Sequence, residues 1–464
     1  MSSTDAELVA VYGRRRVGKT FLVREHLRGD LCFELTGVHD GKLKDQLANF
    51  EDALSRVSRR PHDPPQSWSE AFASLREHLE SLRRRRRKRV VFLDELPWLA
   101  SRRSRFLPAL EHFWNSWASR RSDFVFIVCG SAAGWMVRKI INARGGLHNR
   151  VTRRIRLDPF NLSETEEFLQ TRGIDLDRHS VLELYMAMGG IPHYLKEVER
   201  GQSAASAIDR VFFGREGLLR TEFGRLFASL FDNHERHESV IRALASRLTG
   251  LTRGELAEHS GTLSGGRLTR TLDELEESGF ILRTSRFGHD VKDVTYRLGD
   301  EYSLFYLRWV DGYRSRARNV WTTKRGTPPW RAWSGYAFEG ICLKHATQIK
   351  RALGIEAVET QESAWTHRPR EAGERGAQID LLIDRKDAAV NLCEMKFTEG
   401  PFVVDKRYAE DLRRKKAVFR SVTGTRKSLF ITLVTTFGVS DNKHARAVVD
   451  TAIEMDALFQ PTRA

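Results

Sequence analysis

Eight consecutive residues near the amino end, Gly13, Arg14, Arg15, Arg16, Val17, Gly18, Lys19 and Thr20, fit the pattern G-x-x-x-x-G-K-[ST] at every fixed position. Backbone N–H groups of a tight loop and a helix N-terminus face one point and bind anionic oxygens. Glycines let the backbone approach those oxygens closely. In such a loop Lys19 reaches the β- and γ-phosphates of ATP and the Thr20 hydroxyl holds Mg2+. Phe21 continues the same nucleotide-binding stretch. Further on, the apolar run Val90-Val91-Phe92-Leu93 ends in Asp94-Glu95. Asp94 would bind Mg2+, usually through water, and Glu95 would orient and deprotonate the attacking water.

A second set of chemistry-bearing residues lies near the other end. Asp380 stands in an apolar run, and after a short turn Glu394 and Lys396 follow two residues apart, so they share one face of a strand. An acid, a hairpin and Glu-x-Lys suit a metal-dependent phosphodiesterase. Two carboxylates fix Mg2+ or Mn2+ by hard oxygen ligation, the metal activates water, and the lysine assists. The alternative for Glu394 and Lys396 is a cross-face ion pair, which needs compensating cations because a buried unpaired acid is costly.

The elements that must position these groups are legible in the pattern. The apolar run before Gly13 and the amphipathic segment after Thr20 read as a strand and a helix. Residues 31–36 read as a strand, and residues 42–57 and 68–82 as helices separated by the breaker Pro61–Pro65. Val90-Val91-Phe92-Leu93 suits a buried parallel strand with its acids at the C-terminal edge, where ligands sit in α/β sheets. A further buried strand, residues 124–129, ends in Gly130-Ser131. Ser131 either contacts the γ-phosphate or the nucleophilic water, or simply turns strand into helix. Arginines 144, 150, 153, 154 and 156 cluster next. Arg150 is the candidate arginine finger, which must come from a mobile segment or a neighbouring subunit, and this leaves room for a homo-oligomer.

Residues 163–230 are helical in pattern, broken by Gly189-Gly190-Ile191-Pro192. Residues 236–300 read as three helices and a hairpin, which is a winged helix. Thr252 caps its second helix, and Leu268, Leu272 and Leu275 share one face of the third. Arg267 and Arg270 lie off that face and could meet phosphates or base edges. From about Trp309 the composition changes: tryptophans crowd in, and helix, strand hairpin, helix (406–420) and strand (429–435) follow in turn. The expected organisation is a nucleotide-binding core at 1–160, a helical lid at 161–234, a winged helix at 235–308 and an α/β domain at 309–464.

The chain has 464 residues, enough for several cores. A net charge of +16 favours a polyanionic partner, nucleic acid before membrane, with DNA the expectation. Residues 83–89 are seven consecutive cations. They are either a nucleic-acid patch or a solvated helix end where positive charge suits the dipole. Cys32, Cys129, Cys342 and Cys393 are too scattered for a zinc signature and read as reduced thiols. The polar start has no signal-peptide pattern, and the most apolar stretch, 429–439, is too short to span a bilayer. A cytoplasmic protein without a membrane span is therefore expected.

The loop GRRRVGKT, the strand VVFLDE, the CGS strand end and the later GGIP resemble the archaeal-type ATPase family, a P-loop branch allied to the STAND and AAA+ ATPases. The resemblance implies an α/β P-loop NTPase with a helical lid that binds and hydrolyses ATP. Members usually carry an Arg-Glu pair before the first strand that helps seat the nucleotide. Here that strand begins within ten residues of Met1, and this sequence departs from the pattern. The C-terminal set resembles the PD-(D/E)xK, restriction-endonuclease-like superfamily, a domain that the ATPase family often carries at this end. That resemblance implies Asp380, Glu394 and Lys396 as core site residues and Glu339 as an upstream metal-binding acid on a helix. The alternative reading, of a different class, is a STAND-like nucleotide-gated regulator or interaction switch, in which the winged helix binds DNA or a partner and the C-terminal fold is a catalytically silent clamp.

Overall fold

Parallel pairing and cover on both faces make the inner members almost wholly apolar among the first five strands. The five are β1 (Glu7–Tyr12), β2 (Leu31–Thr36), β3 (Arg89–Asp94), β4 (Phe124–Gly130) and β5 (Arg153–Arg156). Their order is β2-β3-β4-β1-β5, every pairing parallel. Alternate residues feed different cores. Leu8, Ala10, Val91, Leu93, Phe126 and Val128 join one face with helices Leu43–Ser58, Trp68–Ser81 and Phe106–Ser116. Val9, Val11, Val90, Phe92, Val125 and Ile127 join the other with Val23 of helix α1 (Lys19–Leu27). The edge strand β5 is exposed along its whole length, and three of its four residues are arginine.

This computed structural model describes residues 5–461 apart from 84–86, 102, 143–146, 148, 261–264, 289–293, 315–318 and 368–375. Arg144 and the middle of the 83–89 run therefore lie outside the described residues. The chain divides into two compact units. The first is Met1–Asp158 with the short pieces Ser229–Asp232 and Asp273–Ser278, and the second holds the remainder. The segments expected as lid, winged helix and C-terminal domain thus fall in the second unit, those two short pieces excepted.

Within the second unit the helical stretch includes Leu162–Thr171, opened by an Asn161/Glu164 capping box, and Arg178–Met188, which ends at Gly189. Helices α2 (His234–Ser246), α3 (Arg253–Ser260) and α4 (Gly265–Glu277) follow. Thr252 and Glu255 form a reciprocal cap on α3: the Thr252 hydroxyl accepts from Glu255 N at 3.2 Å and Glu255 accepts from Thr252 N at 2.8 Å. The strands β6 (Leu251–Thr252), β7 (Ile281–Ser285) and β8 (Val294–Leu298) make an antiparallel sheet in the order β6-β8-β7. Arg267 and Arg270 are exposed.

The last sheet contains β9 (Thr360–His367), β10 (Ala377–Arg385), β11 (Ala389–Lys396), β12 (Ser428–Thr435) and β13 (Thr451–Glu454), in the order β13-β12-β11-β10-β9. It is mixed: β9, β10 and β11 are antiparallel neighbours, whereas β11, β12 and β13 run parallel. Helix α5 (Pro328–Lys344) begins with prolines at its first turn, where their missing N–H costs nothing. Helix α6 (Lys406–Thr423) makes the crossover between β11 and β12, as a parallel pair requires.

Candidate nucleotide-binding site and C-terminal acid cluster

Because β1, β3 and β4 run parallel, their C-terminal ends share one edge of the sheet. The phosphate-type loop follows β1, Asp94-Glu95 closes β3, and Ser131 follows β4. Gly13 has φ 144°, and a Cβ there would lie 2.1 Å from the Leu157 carbonyl oxygen. Gly18, at φ 94°, caps α1 in the left-handed region. Both glycines of the motif thus meet a backbone requirement that other residues satisfy poorly.

Lys19 is buried, and its ammonium donates to the carbonyls of Gly13 at 3.0 Å and Arg14 at 2.7 Å. Burial lowers its pKa, against the raising influence of Cys129, Glu95 and Asp94. The Thr20 hydroxyl donates to Asp94 Oδ2 at 2.7 Å. Cys129, fully buried beside Asp94 and Lys19, has its thiol pushed well up by burial and then by Asp94, so it stays a thiol. Arg14 and Val17 are buried, Arg15 and Arg16 half-buried, and Phe21 is 64% exposed.

Glu95 sits in the left-handed region (φ 47°, ψ 50°). Its carboxylate accepts from the Ser131 hydroxyl at 2.6 Å and from Ser131 N at 3.2 Å. Its own N–H donates to Asp94 Oδ1 at 2.9 Å. The Ser131 side chain therefore engages the acid, an arrangement neither of the two readings of the strand end anticipates. Arg150 is exposed in the turn that leads toward β5, its N–H on the Leu147 carbonyl.

The C-terminal residues also draw together. The β10–β11 ladder runs to Leu381↔Cys393, and beyond it Asp380 Oδ2 accepts from Met395 N at 3.0 Å. Glu394 is 2% exposed. Lys415 donates to its Oε1 at 2.7 Å, and Lys396 Nζ lies 3.6 Å from Oε2. Burial, and then the Asp380 carboxylate, raise the Glu394 pKa to about 7, against Lys415 and Lys396. Glu339 on α5 is buried and accepts from Arg297 of β8 at 2.6 Å. Its pKa is raised by burial and by Asp380, and opposed by Arg297 and Lys396. Lys396 also lies 5.5 Å from the centre of the Tyr408 ring.

Arg297 and Lys415 were absent from the sequence expectation. Lys415 carries a usable signal: it stands three residues after buried Leu412 and four before buried Phe419, hence near the inner face of α6. Arg297 has none. Among the described residues no group of three or more His, Cys, Asp or Glu side chains is arranged to hold a metal ion. No helix there is long and apolar enough to cross a membrane.

Among curated proteins the chain is similar to the uncharacterized protein MJECL04 of Methanocaldococcus jannaschii, with 21% identity over 419 residues, 89% of this chain and 88% of that one. Among solved structures it is similar to the Walker-type ATPase Paby2304 of Pyrococcus abyssi (18% identity, 65% of this chain and 91% of that chain, TM-score 0.46). It is also similar to the ORC2 protein of Aeropyrum pernix in its ADPNP–ADP complexes (15% identity, 69% and 89%, TM-score 0.40). Residues 1–198, which contain the whole phosphate-type loop, Asp94-Glu95 and Ser131, match a family described as an ATPase domain predominantly from Archaea.

Proposed function

We infer that the first unit binds and hydrolyses ATP, and that the chain uses this to act on nucleic acid, DNA being the expected form. The observation that carries the ATPase reading is the 2.7 Å contact between Thr20 and Asp94, beside a Glu95 whose carboxylate is held by Ser131. A hydroxyl and a carboxylate at this separation are hard oxygen donors and suit Mg2+. The ion, when bound, supplies charge neutralisation of the β- and γ-phosphate oxygens. The chain's own groups do the rest. The loop N–H groups of 13–20 and Lys19 bind the phosphates. Glu95, held at both oxygens, orients the attacking water and takes its proton. Arg150, supplied from a second copy, is the group assigned to the transition-state charge.

For the second unit two readings compete: a metal-dependent nuclease built on Glu339, Asp380, Glu394 and Lys396, or a silent clamp gated by nucleotide. The paired state of the acids favours the clamp. Glu339 is matched by Arg297, and Glu394 by Lys415 and Lys396, so these acids do not fit a Mg2+ or Mn2+ centre as they stand. The winged-helix reading of 235–308 belongs to the same proposal, with α4 as the element offered to DNA.

The decisive experiment is Lys19→Ala in the full chain. MgATP binding by calorimetry should fall at least about 100-fold, with the circular dichroism spectrum unchanged. Hydrolysis that continues at the parental rate would remove the site assignment. Nicking of plasmid DNA with Mg2+ or Mn2+, lost in Asp380→Ala, would reverse the choice of clamp over nuclease.

A further inference from the structure

Helix α6 carries seven cations and two acids in eighteen residues, and the fold sorts them by direction. The half-buried cations are each matched by an acid: Arg414 by Asp411, Lys415 by Glu394 at 2.7 Å, and Lys416 by Asp450 at 3.8 Å. Lys406, Arg407, Arg413 and Arg420 are exposed and pair with no acid among the described residues. At 3.6 residues per turn, Lys406, Arg413 and Arg420 fall within about 40° of one another. Their stripe is centred about 90° round the helix from the middle of the face that buries Ala409, Leu412 and Phe419. Glu410 is the single exposed acid of the helix.

We propose that this ridge of α6 is a docking surface for the sugar-phosphate backbone of duplex DNA. The proposal rests on the reading that the second unit engages nucleic acid, and names the surface that does so. From Lys406 to Arg420 the ridge is about 21 Å long at 1.5 Å per residue. Over that distance a duplex presents about twelve charges, one per ~1.7 Å. An excess of +16 over the whole chain draws a polyanion in from a distance, but only cations without an acid partner release counterions on contact. The ridge supplies three of these side by side, and Arg407 a fourth about 100° round the helix from Lys406. The contacts are to phosphate, so the surface positions DNA without reading its sequence.

The test is fluorescence anisotropy of a labelled 25-base-pair duplex with the full chain, without nucleotide, over 50–300 mM KCl. The quadruple variant Lys406→Gln/Arg407→Gln/Arg413→Gln/Arg420→Gln should bind about 10- to 100-fold more weakly at 100 mM salt. Its plot of log K against log salt should be shallower by about 3, at roughly 0.9 per lost phosphate contact. The control Lys386→Gln/Arg446→Gln removes exposed cations already paired with Glu359 and Asp441, and should change the slope by less than about 0.5. An unchanged slope in the quadruple variant, or an equal loss per charge in the control, overturns the proposal. So does a ridge-dependent affinity for phosphatidylserine vesicles that exceeds that for the duplex. Because no ATP is present, failure here leaves the Lys19→Ala test standing, and failure of that test leaves this one readable.

Discussion

Two places in this molecule fix a pair of carboxylates, and they do so by opposite means. Asp94 and Glu95 are held by neutral donors: the Thr20 hydroxyl, the Ser131 hydroxyl and N–H, and the Glu95 N–H. Glu339 and Glu394 are held by cations, Arg297 on one and Lys415 with Lys396 on the other. A neutral donor fixes the direction of a carboxylate and leaves its charge available for an incoming cation or proton. A buried cation cancels the charge, and its removal leaves the acid stranded. On the proposed reading, the first place does chemistry and the second is architecture.

The sharpest test of that contrast is to remove one charge in each place, an acid from the first and a cation from the second. Glu95→Gln should lower kcat for ATP by about 10²- to 10⁴-fold, the usual span for losing a general base, while MgATP affinity is retained. If kcat survives, the first site is not poised by Glu95. In the second place the damage should appear in stability. Arg297→Met leaves Glu339 buried without its cation and should cost about 3–5 kcal/mol in urea unfolding. The double variant Arg297→Met/Glu339→Gln should recover most of it, since the stranded charge is gone. A single variant as stable as the parent would show that the acid can do without the arginine and is open to metal.

A smaller effect follows from the Ser131 grip. Ser131→Ala removes the 2.6 Å hydrogen bond and spares the N–H contact. It should lower kcat by about tenfold, equivalent to ~1.4 kcal/mol, with little change in KM, and Ser131→Thr should restore it. A rise in KM alone would assign Ser131 to the phosphates.

The same contrast explains what the sequence could and could not reveal. The phosphate-type loop, β3 ending in Asp94 and β4 ending in Gly130 were readable because a parallel strand buried on both faces is a near-continuous apolar run. The motif there is local, although the space that Gly13 leaves is taken by the distant Leu157 carbonyl. The hairpin bearing Asp380 and Glu394 was readable by the same kind of periodicity. The partners were not. Arg297 lies 42 residues before Glu339 and Lys415 lies 21 after Glu394, and no local pattern announces which distant cation will balance an acid. Ser131 was singled out as a small polar strand end, but its grip on Glu95 depends on strand order, since β4 lies beside β3 in the sheet.

His345 offers the finest test, because it is an ionisable group held neutral chiefly by burial, with backbone groups as its hydrogen-bond partners. It is buried, with Nδ1 at 2.8 Å from the Ile341 carbonyl and Nε2 at 3.1 Å from Leu162 N. These partners fix the tautomer: Nδ1–H donates and Nε2 accepts. Protonating Nε2 would set two N–H groups against each other at the first turn of helix Leu162–Thr171. Burial accordingly lowers the pKa to about 4 from an ordinary 6.5. Between those values the unfolded chain binds more protons than the folded one, so stability rises with pH across the window. The contribution is complete above pH 6.5 and is lost as pH falls toward about 4. Near pH 5.5 the loss should be about 1 kcal/mol. His345→Gln keeps an acceptor for Leu162 N without a titrating ring. The difference in urea midpoint between the two proteins should be constant above pH 7 and shift in favour of the variant on acidification. A pH-independent difference would mean that His345 is accommodated in its charged form, and that burial does not hold it neutral.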